Sequence, residues 1–405
     1  MFQQQRSRID NHSDFGASSR LTRACLTSSI AAVCACLCSC MEGMSASQAN
    51  SQFSSKQQSM TGSSAAAQPR MTRATEDAQL ATGPVVLATP TATNSSAQSQ
   101  RAAEQLAASQ RGDAQALLRA AAASSWSALR AHAIEAAVEN PALLLELAPR
   151  ALLDDNRGVR FVACMAISEA PSKEFVLFLQ PLLSDDSDSV KAAATLALAR
   201  CGANPDPSPI SAMIYMNDAE IRANAYLVLG ELGNPSAVAM IRDSLGHGLK
   251  LMNPIRVRLI DLAAAEALVK LGDEHEIEPI RAALFAPPEQ SELTIVACEA
   301  IGRLKDEVSR PMLERLLSVQ GDAKRSPEIR LAAATALMQL GGSANMAMLV
   351  TNEYITNKDP RIRAMVATLL RGTSSEQAVA ALSSLIRDSD PTVQVAAAAG
   401  LESAE

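Results

Sequence analysis

The feature that most constrains the fold is a repeated segment in which an aliphatic residue is followed, four positions later, by alanine in almost every copy. The aliphatic positions recur at Leu129, Val159, Val190, Ile221, Ile260, Leu293, Ile329, Ile362 and Val393. The intervals between them are 30, 31, 31, 39, 33, 36, 33 and 31 residues. Small or apolar residues continue the pattern at the spacing of one helix face. A period of this length predicts stacked supersecondary units.

A second amphipathic segment lies between successive copies, as in "PALLLELAPRALLD" and "SEQAVAALSSLIRD". Breaks such as Asn140-Pro141 and Gly233-Asn234-Pro235 separate the segments and supply residues that cap helices. Aromatic residues make up only 3% of a chain that is 48% hydrophobic, so the core must come from Ala and Leu, which favour helices. We therefore predict an all-α fold, an α-α superhelix of about nine antiparallel helix pairs.

The segment "DAEIRANAYLVLGELGNPSAVAMIRDSL" (218–245) resembles HEAT repeats, especially the short variety found in phycobilisome lyases. The resemblance covers roughly residues 112–405, and we assign 101–405 to a HEAT-like repeat domain. It implies that an acidic residue before each copy and a basic residue inside it tie adjacent turns together. The basic positions are Arg130, Arg160, Lys191, Arg222, Arg330 and Arg363. Asp261, Thr294 and Gln394 replace the basic residue in the remaining copies, which are expected to lack one tie.

The N-terminal segment has the pattern of an export signal. Arginines precede the uncharged run "ACLTSSIAAVCACLCSC", which is too short to span a membrane. Its end, Leu37-Cys38-Ser39-Cys40, resembles the lipobox of bacterial lipoproteins, so we expect residues 1–39 to be a signal peptide and Cys40 to be lipidated. Val33-Cys34-Ala35-Cys36 is a weaker second lipobox, and Ser47-Gln48-Ala49 is an alternative cleavage site.

Residues 40–100 are rich in Ser, Ala and Gln and contain too few large apolar groups to offset the entropy of ordering. We expect this segment to be a disordered tether. The predicted location is the cell envelope, with a lipid anchor on the periplasmic or extracytoplasmic side; a cytoplasmic location is the alternative.

Several function classes find little support in the sequence. A net charge of −7 argues against a nucleic-acid partner. The sequence contains no GxSxG elbow, no SxxK pair and no glycine-rich phosphate loop, so we expect no catalytic residues and no cofactor. The acidic turn "LGDEHEIEP" (271–279) is the best metal candidate, but acidic residues also belong at a helix start, and we expect no metal site.

The longest interval in the array, between Ile221 and Ile260, suggests a candidate partner-binding site. Insertions in repeat arrays tend to collect on the binding face. The candidate residues are Lys250, Arg256 and Arg258 in the insertion, with Asn224 and Glu231 as outward-facing neighbours. The alternative is an elongated helix pair with a solvated turn.

The fold and the signal together predict a membrane-anchored scaffold that binds protein partners on an extended concave surface lined by the second helix of each pair. Small-molecule substrates are not expected. Two alternatives remain: an enzyme or chaperone similar to bilin lyases, and a cytosolic repeat adaptor whose start codon is misplaced.

Overall fold

A computed structural model of the protein describes residues 93–248, 252–318, 321 and 324–403, with side chains from residue 108 onward. Throughout this described part the secondary structure is helical and contains no strand, which confirms the all-α prediction. Of the described residues, those from 107 onward belong to one compact unit and residues 93–106 belong to another. The signal peptide, Cys40 and nearly all of the predicted tether lie outside the described residues.

The α-helices are α1 Thr93–Ala122, α2 Ser127–Ala136, α3 Pro141–Ala151, α4 Arg157–Glu169, α5 Val176–Leu179, α6 Asp188–Arg200, α7 Ser208–Met213, α8 Ala219–Leu232, α9 Ala237–Ser244, α10 Pro254–Lys270, α11 Ile277–Ala283, α12 Ser291–Leu304, α13 Arg310–Ser318, α14 Pro327–Gln339, α15 Ala344–Tyr354, α16 Pro360–Leu370, α17 Glu376–Leu385 and α18 Pro391–Ser403. The even-numbered helices carry the repeated segment. The odd-numbered helices lie between them in sequence.

The even-numbered helices of the unit that contains residues 107–405 form a closed ring. Each packs against the next, from α2 to α18, and α18 packs back against α2. Polar contacts accompany the closure: the side-chain amides of Gln115 and Asn140 donate to Glu402 Oε2 over 3.3 and 3.0 Å. The expected extended concave surface is therefore the inner face of a ring, which we call the inner face.

Small residues allow the even-numbered helices to approach closely. Ala225 on α8 and Ala264 on α10 are completely buried. Gly230 on α8 comes so close to α10 that a Cβ atom placed on it would lie 3.0 Å from the Cα atom of Ala267. The helix contact thus leaves no room for an added methyl group, which explains why the repeat keeps small residues on this face.

Helix boundaries follow the predicted breaks. The side chain of Asn140 accepts from the Leu143 amide at the start of α3, and Asp218 caps α8 in the same way. One segment differs from the sequence prediction: "SKEFVLFLQPLLSD" forms only the four-residue helix α5, flanked by 3-10 turns. Pro181 lies in the second turn, where its missing amide hydrogen and its ring disfavour a continuous α-helix.

Candidate functional site

Arg160 on α4 makes the most complete set of the predicted contacts between successive repeats. Its Nε and Nη2 atoms each donate to Asp185 over 2.8 Å, and Nη1 donates to the Asp154 carbonyl over 2.8 Å. Asp185 lies in the turn before α6, so the arginine joins two successive turns. Arg130 reaches Asp154, and Arg363 reaches Asp388, with the same bidentate geometry.

Three of the six basic positions make other contacts. Lys191 pairs with Asp188 of its own helix, because the next turn offers no carboxylate at the equivalent place. Arg222 is completely buried and donates to the carbonyls of Ser244 and His247. Arg330 donates to the Tyr354 hydroxyl, to Glu353 and to a backbone carbonyl. The expected carboxylate partner is thus absent at Lys191 and replaced by carbonyl groups at Arg222.

Repeats that lack the basic residue are joined in other ways. Arg281 on the odd-numbered helix α11 forms a bidentate pair with Asp306 in the following turn, at 2.8 and 2.6 Å. Gln394 donates to the carbonyl of Asp388 over 2.6 Å, in the turn that precedes its own helix, so this bond stays within one repeat. Arg281 thus supplies a contact between successive turns from a different position in the repeat.

Two of the three basic residues predicted to bind a partner lie on a helix, not in a loop. Lys250 lies outside the described residues. Arg256 and Arg258 belong to the first turns of α10, which begins at Pro254, so part of the long interval is an N-terminal extension of that helix. Arg256 pairs with Glu292 at 3.7 Å and Arg258 donates to Gln290, so both engage the following repeat.

Asn224 and Glu231 contact the neighbouring helices of the ring and do not point outward. Asn224 is buried and donates to the Ser189 hydroxyl of α6 over 3.0 Å. Glu231 accepts from Arg200 of α6 at 3.1 Å and from Lys270 of α10 at 2.8 Å. The contact pattern follows from helix geometry, since both residues lie on the side of α8 that faces its ring neighbours.

A row of charged and polar residues follows the inner face near the carboxyl ends of the even-numbered helices. Most members lie ten positions after the aliphatic residue of each repeat, a pattern visible in the sequence but absent from the sequence-based predictions. The row consists of Glu139, Glu169, Arg200, Glu231, Lys270, Arg303, Gln339, Arg371 and Glu402. Charges from helices that are not neighbours in the ring also interact. Arg371 follows α16 and Glu139 follows α2, and the Nε atom of Arg371 lies 3.5 Å from the Glu139 carboxylate.

One arc of this row is neutralised by an alternating chain of charges. Lys270 lies 2.8 Å from Glu231 and 2.9 Å from Glu266, and Arg303 binds Glu266 through two hydrogen bonds of 2.8 and 2.6 Å. Although burial favours the neutral acid, Arg303 and Lys270 hold the pKa of Glu266 well below its usual value. Burial raises the pKa of nearby Glu299 to about 7, against a lowering by Arg303.

Beside this arc, α4 contributes a buried carboxylate without such neutralisation. The Oε2 atom of Glu169 at the end of α4 is buried and has no hydrogen-bond partner in the described part of the chain. Burial raises its pKa well above the usual value, and the charges of Glu135, Glu231 and Glu139 raise it further, while Arg371 lowers it. Glu169 also lines a cavity of about 190 Å³ between α4, α6 and α8.

Other candidate sites in the described part of the chain show no metal-binding arrangement and no activated thiol. Within the described ranges no group of three His, Cys, Asp or Glu side chains is placed to hold a metal ion. In the acidic turn, Asp273 pairs with Arg242. Cys164 and Cys298 are buried thiols, and burial raises the pKa of each. None of the helices that the structure describes is long and apolar enough to cross a membrane.

Comparison with known proteins identifies no family. No family model matches the sequence, and no curated protein matches it. Among solved structures, human deoxyhypusine hydroxylase in complex with glycerol is 16% identical, with 66% of this chain and 96% of that chain covered and a TM-score of 0.33. The complex of CpcE and CpcF of phycocyanin lyase from Nostoc is 18% identical, covering 62% and 91%, with a TM-score of 0.29.

An engineered protein is also similar, at 18% identity, covering 72% of this chain and 88% of its own, with a TM-score of 0.26. At these identities and TM-scores, the similarities imply neither an activity nor a shared ring arrangement.

Proposed function

We propose that the protein is a HEAT-like scaffold of about nine helix pairs that binds a protein partner, carries no catalytic activity and is anchored to the cell envelope through a lipid on Cys40. The observation that supports partner binding is a set of exposed apolar side chains, one before each of four successive even-numbered helices. The export signal and the lipobox-like quartet at Cys40 support the anchor.

The exposed side chains lie at the turns that lead into even-numbered helices. We call them the apolar turn row: Trp126 at 41% exposure, Leu153 at 79%, Leu183 at 38% and Tyr215 at 38%. They precede α2, α4, α6 and α8 in order, and Arg130 and Arg160 tie successive turns together. Neighbouring apolar residues exposed in a row mark an interaction surface more strongly than scattered ones do.

The spacing of the row suits an amphipathic helix as the partner. Packed helices lie about 8–10 Å apart, so one apolar side chain per repeat gives a similar spacing along the ring. A partner helix presents residues seven positions apart about 10.5 Å from one another on one face. An amphipathic helix with apolar residues at this interval therefore fits the apolar turn row.

Site-specific photocrosslinking in cells tests this proposal. A photoreactive residue at Leu153 is expected to yield a defined protein adduct, and Leu183→Asp is expected to abolish it because a charge would be placed in the apolar contact. Leu349→Asp is the matched control, since Leu349 lies on α15 and is 74% exposed but outside the row. An adduct that survives Leu183→Asp, or that is lost equally with Leu349→Asp, contradicts the assignment.

The anchor is tested separately. Cys40→Ala is expected to release the protein from the membrane fraction and to abolish acyl labelling, while Cys36→Ala leaves both unchanged. The reverse result would place the lipid at the second lipobox, and retention of both variants would favour another mode of attachment or the cytosolic alternative. The bilin-lyase alternative rests on the family resemblance alone, and absorbance after co-expression with a bilin and its acceptor tests it.

A further inference from the structure

The cavity on the inner face has a mixed lining. Met165, Leu227 and Pro171 supply apolar walls, while Ser168, Glu169, Arg200 and Glu231 supply polar groups. Solvent reaches this region, since the Arg200 side chain is 46% exposed. With a volume of about 190 Å³, the cavity corresponds to roughly six water molecules at their liquid share of about 30 Å³ each. This is the size of a small organic molecule.

The charges in the cavity are unevenly neutralised. Glu231 is fully engaged, because Arg200 and Lys270 bind its two carboxylate oxygens. Arg200 also donates to the Glu231 carbonyl over 2.8 Å. Glu169, in contrast, has no cation within ion-pairing distance among the described residues, and its Oε2 atom has no hydrogen-bond partner there.

The wider surroundings of Glu169 are acidic as well. Glu135 and Glu139 from the first repeat and Glu231 from α8 act on it electrostatically, and Arg371 is the cation that opposes them. Arg371 itself lies 3.5 Å from Glu139. A buried carboxylate without a partner is costly, so a cation that reaches Glu169 would relieve an unfavourable interaction.

We propose that this cavity binds a small aliphatic monoamine, with the ligand's ammonium group on Glu169 and its alkyl chain against Met165, Leu227 and Pro171. An ammonium group has three donors, which suit Glu169 and the lone pairs of the Ser168 hydroxyl. That hydroxyl already donates its own hydrogen to the Met165 carbonyl over 2.7 Å, so its oxygen is oriented as an acceptor. Arg200, on the opposite wall, disfavours a second positive charge on the ligand.

Isothermal titration of the full chain with n-butylamine at pH 8 tests the assignment, with n-butanol as the uncharged ligand of similar shape. One equivalent of n-butylamine is expected to bind, and n-butanol is expected not to bind at the same concentration. Burial raises the pKa of Glu169, and a cation bound beside it is expected to oppose that rise. Titrations in buffers that differ in ionisation enthalpy measure whether a proton is released on binding.

The decisive variant is Glu169→Gln, which keeps the shape of the side chain and removes its charge. It is expected to weaken n-butylamine binding at least about tenfold, as for loss of a hydrogen bond to a charged group. Glu299→Gln is the matched control, because Glu299 is a partly buried acid of the inner face on α12 and does not line the cavity. Circular dichroism verifies that both variants fold. Equal binding by wild type and Glu169→Gln, equal binding of n-butanol, or stronger binding of Mg²⁺ at the same site would overturn the proposal.

Discussion

Replacement of Arg160 by alanine tests whether the ties between turns hold the repeats together. Arg160 and Asp185 are largely buried, with 12% and 8% of their side chains exposed, and two hydrogen bonds of 2.8 Å join them. The same guanidinium also contacts Asp186, which is 88% exposed. One arginine thus makes a buried and an exposed ion pair at once, which allows the two contributions to be compared.

The expected cost of Arg160→Ala is about 3 kcal/mol in the free energy of unfolding, the lower end of the range for breaking a buried pair, because a buried carboxylate would lose its partner. Asp186→Ala is expected to cost less than about 0.5 kcal/mol, since solvent screens an exposed pair. Lys191→Arg, at the equivalent position in the next repeat, is expected to gain nothing, because no carboxylate faces it from the following turn.

Urea denaturation followed by circular dichroism measures these differences. A double-mutant cycle with Asp185→Ala isolates the pairwise term, which is expected to reach about 2 kcal/mol because both partners are desolvated. Equal losses for Arg160→Ala and Asp186→Ala would refute the reasoning, since burial would then have no effect on the strength of the pair. A gain in stability for Lys191→Arg would show that an arginine finds its partner without the acidic turn.

Three further outcomes are expected. Glu299→Gln should become increasingly more stable than wild type as the pH rises from 5 to 8, because a pKa near 7 means that the folded protein holds a proton which the unfolded chain releases. The slope reaches at most about 1.4 kcal/mol per pH unit, and thermal melts across this range measure it. Gly230→Ala should cost about 1–3 kcal/mol because of the contact with Ala267, whereas Gly112→Ala on α1, with no atom near its added methyl group, should stabilise by about 0.5–1 kcal/mol. Ala225→Leu should cost about 1–3 kcal/mol as well, since Ala225 is completely buried, and chemical denaturation that shows no loss would contradict the helix register.

The sequence pattern predicted the helices well where periodicity and caps agree. The repeated aliphatic and alanine positions lie on the even-numbered helices, and breaks such as Asn140-Pro141 coincide with a helix start. The pattern was less informative about the partners of individual side chains, which depend on tertiary contacts. Lys191 and Arg222 occupy the same repeat position as Arg160, but their contacts depend on what the next turn offers, and a repeat alignment does not carry that information.

The candidate site depended still more on tertiary structure. Glu169 and Glu231 lie ten positions after the aliphatic residues of their repeats, so the sequence showed that they occupy the same repeat position. The sequence did not show that their environments differ. Glu231 has two cations beside it, whereas Glu169 has none within ion-pairing distance in the described part of the chain. That difference arises from which neighbours the ring brings together.

Ring closure also separates the two binding roles proposed for this protein. An open solenoid offers its concave surface to a partner of any length, whereas here α18 packs against α2 and the even-numbered helices surround the inner face. Much of the charge on that face is already paired within the chain, as at Lys270 and Arg303, so a protein partner would have to break existing ion pairs to bind there. The apolar turn row imposes no such cost, because its side chains are exposed before binding. A large partner is therefore expected at the turns, and the cavity beside Glu169 suits a ligand small enough to enter without disturbing the paired charges.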